Sequence, residues 1–247
     1  VDFEEPFKRL FNQGMITKDG EKMSKSKGNV VSPDELVERY GADSLRMYEL
    51  FVGPPELDSE WDDRGIDGVY RFINKVWKLI IENKDSNVKA TKEMERTRHK
   101  LIYEITTRMD EFHLNTVVSG FMEYTNKLSD IAKASKGLDQ ETINTLIVLL
   151  APFIPHVAEE LWEMIGNKES VFKQTWPVYD EDKMKEDSIE IAVQVNGKLR
   201  STIEIDVNES KETILEKARG LIQDKLEGKN IVKEIYVPGK IVNLVIK

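Results

Sequence analysis

Three lysines fall within six residues of one stretch, Lys22-Met23-Ser24-Lys25-Ser26-Lys27-Gly28-Asn29, the densest group of chemistry-bearing side chains in the chain. Ammonium and hydroxyl groups are hydrogen-bond donors, and small Ser and Gly residues let backbone N–H groups approach a polyanion closely, so the chemistry this pattern suits is gripping phosphate. Asp19-Gly20 precedes the stretch. Ser32, Pro33 at the first helical position and Glu35 three residues on read as a capping box, which predicts a helix running to Tyr40 and ending at Gly41. The loop would then be anchored on both sides. The plain alternative is a solvated, Lys- and Ser-rich hairpin tip. Other chemistries find less support: there is no Cys, and His99, His113 and His156 are too scattered for an H-x-x-x-H pair, so neither thiolate chemistry nor a structural metal is expected.

The elements that must position this loop fall into three patterns. Residues 1–60 alternate short apolar pieces with Gly, Pro, Ser and Asp, a loop-rich α/β texture. From Trp61 to Gly166, apolar residues recur at helical spacing: Val69, Phe72, Ile73, Val76 and Ile80; Leu101, Ile105, Met109 and Phe112; Leu114, Val118, Phe121, Thr125 and Leu128; Ile143, Leu146, Ile147 and Leu150; then Val157, Leu161, Trp162 and Ile165 after Pro152 and Pro155. Such stripes face a shared core, which predicts an antiparallel helix bundle. Residues 167–187 show no period and read as a linker lying partly along the bundle. From Ser188 the period becomes two, and the order predicted is ββαββ, with a helix from about Ser210 to Glu227 that turns Ile214, Ala218, Leu221 and Leu226 inward. In the first hairpin, a two-residue turn at Asn196-Gly197 would set an apolar face beside a polar one. A three-residue loop pairing Gln194 with Lys198 and Val193 with Leu199 keeps the faces matched and is the expectation.

The 247 residues are 40% hydrophobic and 33% charged, enough apolar content for packed cores and too much for disorder. No apolar run approaches a membrane span, and Val1-Asp2-Phe3-Glu4-Glu5 lacks the features of a signal peptide, so a cytoplasmic protein without membrane partners is expected. With 36 basic and 45 acidic residues the formal charge is −9. Residues 1–60, 61–185 and 186–247 carry −5, −3 and −1, so any contact with nucleic acid must come from a few placed cations and not from a basic coat. A first residue other than Met suggests a piece of something longer.

Lys22-Met23-Ser24-Lys25-Ser26 is similar to the K-M-S-K-S signature of class I aminoacyl-tRNA synthetases, and Gly14-Met15 and Tyr40-Gly41-Ala42-Asp43-Ser44-Leu45-Arg46 resemble its surroundings in that class. Pro54-Pro55, Glu60-Trp61, Gly68-Val69-Tyr70-Arg71-Phe72 and Val76-Trp77 resemble the entry to the anticodon-binding bundle of leucyl-tRNA synthetases. The segment from Leu150 to Trp162, with Pro152, Pro155 and His156, resembles one shared by the leucyl, isoleucyl and valyl enzymes. Val193-Gln194-Val195-Asn196-Gly197-Lys198-Leu199-Arg200 and Ile235-Tyr236-Val237-Pro238-Gly239-Lys240 resemble the small C-terminal domain of bacterial leucyl enzymes. Neither the Cys-rich zinc module of isoleucyl enzymes nor the coiled coil of valyl enzymes fits.

The resemblance covers essentially the whole chain. It implies a multidomain, mainly α protein: 1–60 as the end of a Rossmann-type catalytic domain with the signature loop and stem-contact-like helices, 61–166 as an anticodon-binding-type bundle, 167–187 as a linker and 188–247 as an α+β tRNA-binding domain. It implies the leucine–tRNA ligase reaction, with ATP and Mg in the complete enzyme and leucine and its tRNA as partners, the enzyme being monomeric. Lys25 would contact the departing pyrophosphate with Lys22 in support, and Met23, Ser24 and Ser26 would complete the ATP-binding loop. An H-I-G-H element, a leucine pocket and an editing domain are absent, so the piece alone should catalyse no ATP–pyrophosphate exchange; residues 14–22 are also too short for the leucine-specific insert that many bacterial members carry before the loop. Arg96, Arg98 and Lys100 in the bundle, and Lys198, Arg200 and Lys240 in the tail, are the expected RNA contacts, against the plain reading of solvated surface charge. The alternative to a synthetase piece is a free-standing tRNA-binding module without catalysis, to which a pyrophosphate clamp would be of no use.

Overall fold

Asp19 and Gly20 both adopt left-handed backbone, with φ of 58° and 73°, and so close a two-residue hairpin between β1 (Ile16–Lys18) and β2 (Glu21–Lys22). In the computed structural model, which describes residues 2, 4–185, 188–206, 209–223 and 230–247, this hairpin is completed by β3 (Ser59–Glu60), parallel to β1. A single turn of tight helix (Lys25–Lys27) follows the hairpin. Then come α1 (Pro33–Tyr40) and α2 (Ala42–Phe51). Gly41 separates these two at φ 83°, where its N–H closes α1 on the carbonyl of Val37.

The bundle consists of α3 (Gly65–Asn83), α4 (Lys92–Asp110), α5 (Leu114–Ser135), α6 (Gln140–Leu150) and α7 (Pro155–Met164). Its stripes meet as the spacing predicts: Val69, Val76, Ile105, Val118, Phe121, Leu128 and Ile147 are fully buried together. Phe112 departs from its stripe. It follows the end of α4 with φ 62° and lies outside the core, 38% exposed, its ring 4.5 Å from that of Phe11. The N-termini are capped from within the sequence at Thr91, which accepts from the Met94 N–H, and at Asp139, which accepts from the Thr142 N–H.

The segment after α7 is held against the bundle by specific bonds. Glu159 accepts from the Ser170 hydroxyl and the Val171 N–H, Trp176 donates to the Thr106 hydroxyl, Tyr179 packs edge-on against Tyr103, and His99 Nδ1 accepts from the Asp180 N–H at 3.1 Å. A short helix α8 (Glu181–Met184) ends this unit, which spans residues 1–184.

Residues 185–247 form a second unit with its own core. Strands β4 (Ser188–Val195), β5 (Lys198–Asp206), β6 (Ile231–Val237) and β7 (Ile241–Ile246) make a sheet in the order β5-β4-β7-β6, with β4 and β7 parallel at its centre. Helix α9 (Lys211–Leu221), capped by Ser210, packs Ile214, Leu215 and Ala218 against Ile191, Val193, Ile203 and Val242. Leu221, expected inward, is 48% exposed, and Ile222 takes the buried place. The expected continuation to Leu226 and Glu227 lies outside the described residues.

The first hairpin takes the two-residue turn, not the three-residue loop expected. Asn196 and Gly197 are left-handed, with φ of 49° and 77°, and Val195 pairs with Lys198 and Gln194 with Leu199. The face conflict is removed by a bulge: Val193 pairs with Ser201, which leaves Arg200 as the extra residue and restores Ile191 opposite Ile203. Three side-chain bonds favour this solution. Asn196 exchanges a pair of hydrogen bonds with the backbone of Ile246, and Asn243 accepts from the Gly197 N–H, so the turn is tied to β7. The consequence is that Leu199 stands 61% exposed instead of facing the core.

Candidate functional site

The Lys22–Asn29 loop is shaped mainly by one side chain that bonds to its backbone. The Asn29 side-chain oxygen accepts from the Ser24 N–H at 2.8 Å, and its amide donates to the carbonyls of Lys18 and Lys22, each at 3.3 Å. Gly28, at φ 70°, turns its N–H toward the carbonyls of Ser24 and Lys25. Met23 is the loop's apolar foot, half-buried beside Val31, Leu36, Leu45 and Trp61. Glu60 clasps the hairpin from β3: it accepts from the Gly20 N–H at 3.0 Å and from the Thr17 hydroxyl. The Thr17 bond, then the Gly20 N–H, hold the Glu60 carboxyl below its ordinary range.

The three lysines divide by partner. Lys27 is paired with Glu21 at 2.6 Å, both side chains more than half exposed. Lys22 and Lys25 are exposed and form no ion pair among the described residues. The hydroxyls of Ser24 and Ser26 lie 2.8 Å apart beside them. The loop therefore presents two uncommitted ammonium groups on a backbone held in one shape. The capping box at its far end does not form: Ser32 occupies the N-cap position without a side-chain bond, and α1 starts on Pro33 with Asp34 and Glu35 in the first turn, where the helix dipole favours them.

Two of the sequence segments singled out above meet in space. Asp43 of α2, 5% exposed, accepts from the Val157 N–H and from His156 Nδ1, each at 2.7 Å. Arg46 donates twice to the Pro152 carbonyl, at 3.2 and 3.0 Å. The N-cap position of α7 is Ile154, which has no side-chain acceptor, so the helix N-terminus is capped by a carboxylate more than a hundred residues away. His156 thus belongs to this junction.

Among the bundle cations expected to reach RNA, Arg98 does not. It is 2% exposed, with Nη1 at 3.0 Å from Asp139 and 3.2 Å from the Thr142 hydroxyl and Nη2 at 3.0 Å from Glu141. Asp139 is the cap of α6, and a buried carboxylate there requires a counter-charge. Arg96 is half-buried with its Nε enclosed, and Lys100 is half-buried and has a partner. A more open basic surface was missed in the sequence: a groove of about 660 Å³ between α3 and α5, lined by Lys75, Lys78, Lys133 and Lys136 with Asn126 and Ser129. Lys75 bonds Asn126, Lys78 and Lys133 have the exposed partners Glu82 and Asp130, and Lys136 has no ion pair among the described residues. The i, i+3 spacing of Lys75 and Lys78 was the available signal, since it puts both on one face of α3, whereas Lys136 reaches the groove from the left-handed position that ends α5.

In the second unit the three expected contacts do not gather. Lys198 and Arg200 flank exposed Leu199 beside the Asn196-Gly197 turn, next to the end of β7, whereas Lys240 precedes the start of β7, where its carbonyl accepts from the Ala192 N–H. Because β4 and β7 are parallel, these two turns lie at opposite ends of the sheet.

Residues 91–215 match the anticodon-binding domain of tRNA ligases, and residues 1–62 match the class I tRNA synthetases for isoleucine, leucine, methionine and valine. The chain belongs to the tRNA ligase anticodon-binding family. It is 46% identical over its whole length to the leucine–tRNA ligase of Fervidobacterium nodosum and 45% identical to that of Dehalococcoides mccartyi strain BAV1, covering 32% and 31% of those proteins. A crystal structure of the ternary complex of Agrobacterium radiobacter K84 agnB2 LeuRS with tRNA and LeuAMS superposes over 99% of this chain and 33% of that one, with a TM-score of 0.72 at 33% identity. This family member thus spans about a third of the length of the curated relatives it matches. Among the described residues no helix is long and apolar enough to cross a membrane.

Proposed function

We propose that this chain is the C-terminal part of a cytoplasmic leucine–tRNA ligase, with the Lys22–Asn29 loop acting in leucyl-adenylate formation and the remainder acting on tRNA. The observation that carries the reading is the pair of uncommitted lysines, Lys22 and Lys25, on a loop shaped by its neighbours in a chain related over its full length to leucine–tRNA ligases. In the reaction, a leucine carboxylate oxygen attacks the α-phosphorus of ATP, the bond to the β-phosphate bridge breaks, and pyrophosphate departs with the negative charge. Lys25, supported by Lys22, donates to the oxygens on which that charge grows. Because those contacts strengthen as the bond breaks, they stabilise the transition state more than bound ATP. Ser24 and Ser26 add hydroxyl donors, and Met23 seats the loop on α1 and α2. Mg travels with ATP in this reading, and its protein ligands are assigned to the rest of the enzyme.

For the tRNA, the lysine groove between α3 and α5 suits a phosphate backbone better than α4, whose Arg98 is committed to Asp139 and Glu141. Lys198 and Arg200 form a second contact and Lys240 a separate one. Residues 1–60 are read as catalytic-domain end, 61–166 as bundle, 167–187 as connecting segment and 188–247 as tail domain. The test is leucine-dependent ATP–pyrophosphate exchange by the complete enzyme carrying Lys25→Ala. The exchange rate should fall with little change in ATP binding, and an unchanged rate overturns the reading. Deleting the residues from 187 onward should impair leucylation while exchange persists; equal loss of both contradicts the tRNA role of the tail.

A further inference from the structure

One side chain joins both ends of the lysine loop. Asn29 accepts from Ser24 N–H just after Met23 and donates to the carbonyls of Lys18 and Lys22, so a single half-buried amide joins the turn end of the hairpin, the start of the loop and its end. Among the described residues no other side chain bonds to the loop backbone. What remains is Ser24's own carbonyl, which accepts from Lys27 and Gly28, and the exposed Lys27–Glu21 pair on the rim. An exposed pair of that kind contributes little to holding a backbone. The two lysines without ion pairs, Lys22 and Lys25, lie inside the ring that Asn29 closes.

We propose that Asn29 is a positioning residue for the loop: its amide fixes the backbone from Lys22 to Gly28 so that the ammonium groups of Lys22 and Lys25 are presented together to the leaving phosphates. The inference rests on the role proposed above for Lys25. Its physical content is preorganisation, since a loop already in shape need not be ordered at the moment charge develops. Asn29 touches no substrate in this account and acts only through the backbone it bonds.

Two variants separate shape from charge. Asn29→Ala removes all three bonds without adding charge, and Asn29→Asp keeps the acceptor for Ser24 N–H while replacing both donated bonds with an oxygen facing two carbonyls. In this chain, each variant should be cut by trypsin after Lys25 and Lys27 about tenfold faster than the parent, because local opening is no longer opposed by the amide, and its melting temperature should be unchanged. In the complete ligase, each should lower kcat for ATP–pyrophosphate exchange about tenfold and leave KM for leucine alone, the signature of an interaction realised in the transition state. Unchanged cleavage or unchanged kcat overturns the inference. A lowered melting temperature, or a raised KM for leucine, also overturns it by making the effect one of general folding. Lys25→Ala, run alongside, keeps the two proposals apart: if that variant exchanges at the parental rate, the clamp reading fails, whatever Asn29 does to cleavage.

Discussion

Arg98 and Lys25 are both cations in short basic stretches, and the fold uses them in opposite ways. Arg98 is enclosed by α4 and α6, bonds Asp139, Glu141 and Thr142, and at 2% exposure presents no surface to a ligand. Lys25 sits on an exposed loop with no ion pair among the described residues, while its neighbour Lys27 is occupied by Glu21. A basic residue becomes available for chemistry only when the surrounding carboxylates are committed elsewhere. In a chain of net charge −9 that condition is restrictive, and the loop meets it at two positions.

The comparison can be broken most forcefully at Arg98. Arg98→Ala strands the buried Asp139 carboxylate and should cost about 3–5 kcal/mol of stability, read from denaturant unfolding, as expected when one partner of a buried pair is removed. Asp43→Ala should come next. It uncaps α7 from α2 and should cost about 1–2 kcal/mol, with faster amide exchange at Val157 as the local readout. Lys25→Ala should change stability by less than about 0.5 kcal/mol, since it touches neither core nor cap.

The smallest effect concerns pH. Burial, and then the nearby charges of Arg98 and Lys183, hold His99 below its ordinary pKa, and its Nδ1 accepts the Asp180 N–H while the ring is neutral. The native state therefore resists protonation more than the unfolded chain, so this contribution is complete above about pH 6.5 and is lost as pH falls toward the lower folded value. Amide exchange at Asp180 should accelerate below about pH 6.5 in the parent and show no such pH step, beyond intrinsic exchange, in His99→Ala.

Much of this was readable from local pattern. Helical stripes in residues 61–166 and alternation after Ser188 locate the elements because 3.6- and 2-residue periods are properties of the chain itself. The lysine loop was readable because its residues are adjacent. What escaped depends on partners distant in sequence. Nothing within α4 says that Arg98 will meet a cap 41 residues on, and nothing near Pro155 says that Asp43 will cap α7. The hairpin register was misread because matching faces within two strands ignores the third: Asn196 and Asn243 tie the turn to β7, and a bulge at Arg200 absorbs the mismatch. The lysine groove needed two helices brought side by side.

The most direct measurement is single-turnover formation of leucyl-adenylate by the complete enzyme, with ATP binding measured on the same samples, for Lys25→Ala. A loop cation that acts on charge developing in the transition state predicts a rate lowered about a hundredfold with ATP affinity within about threefold of the parent. An unchanged rate, or a loss accounted for by weaker ATP binding alone, would contradict that account of the loop.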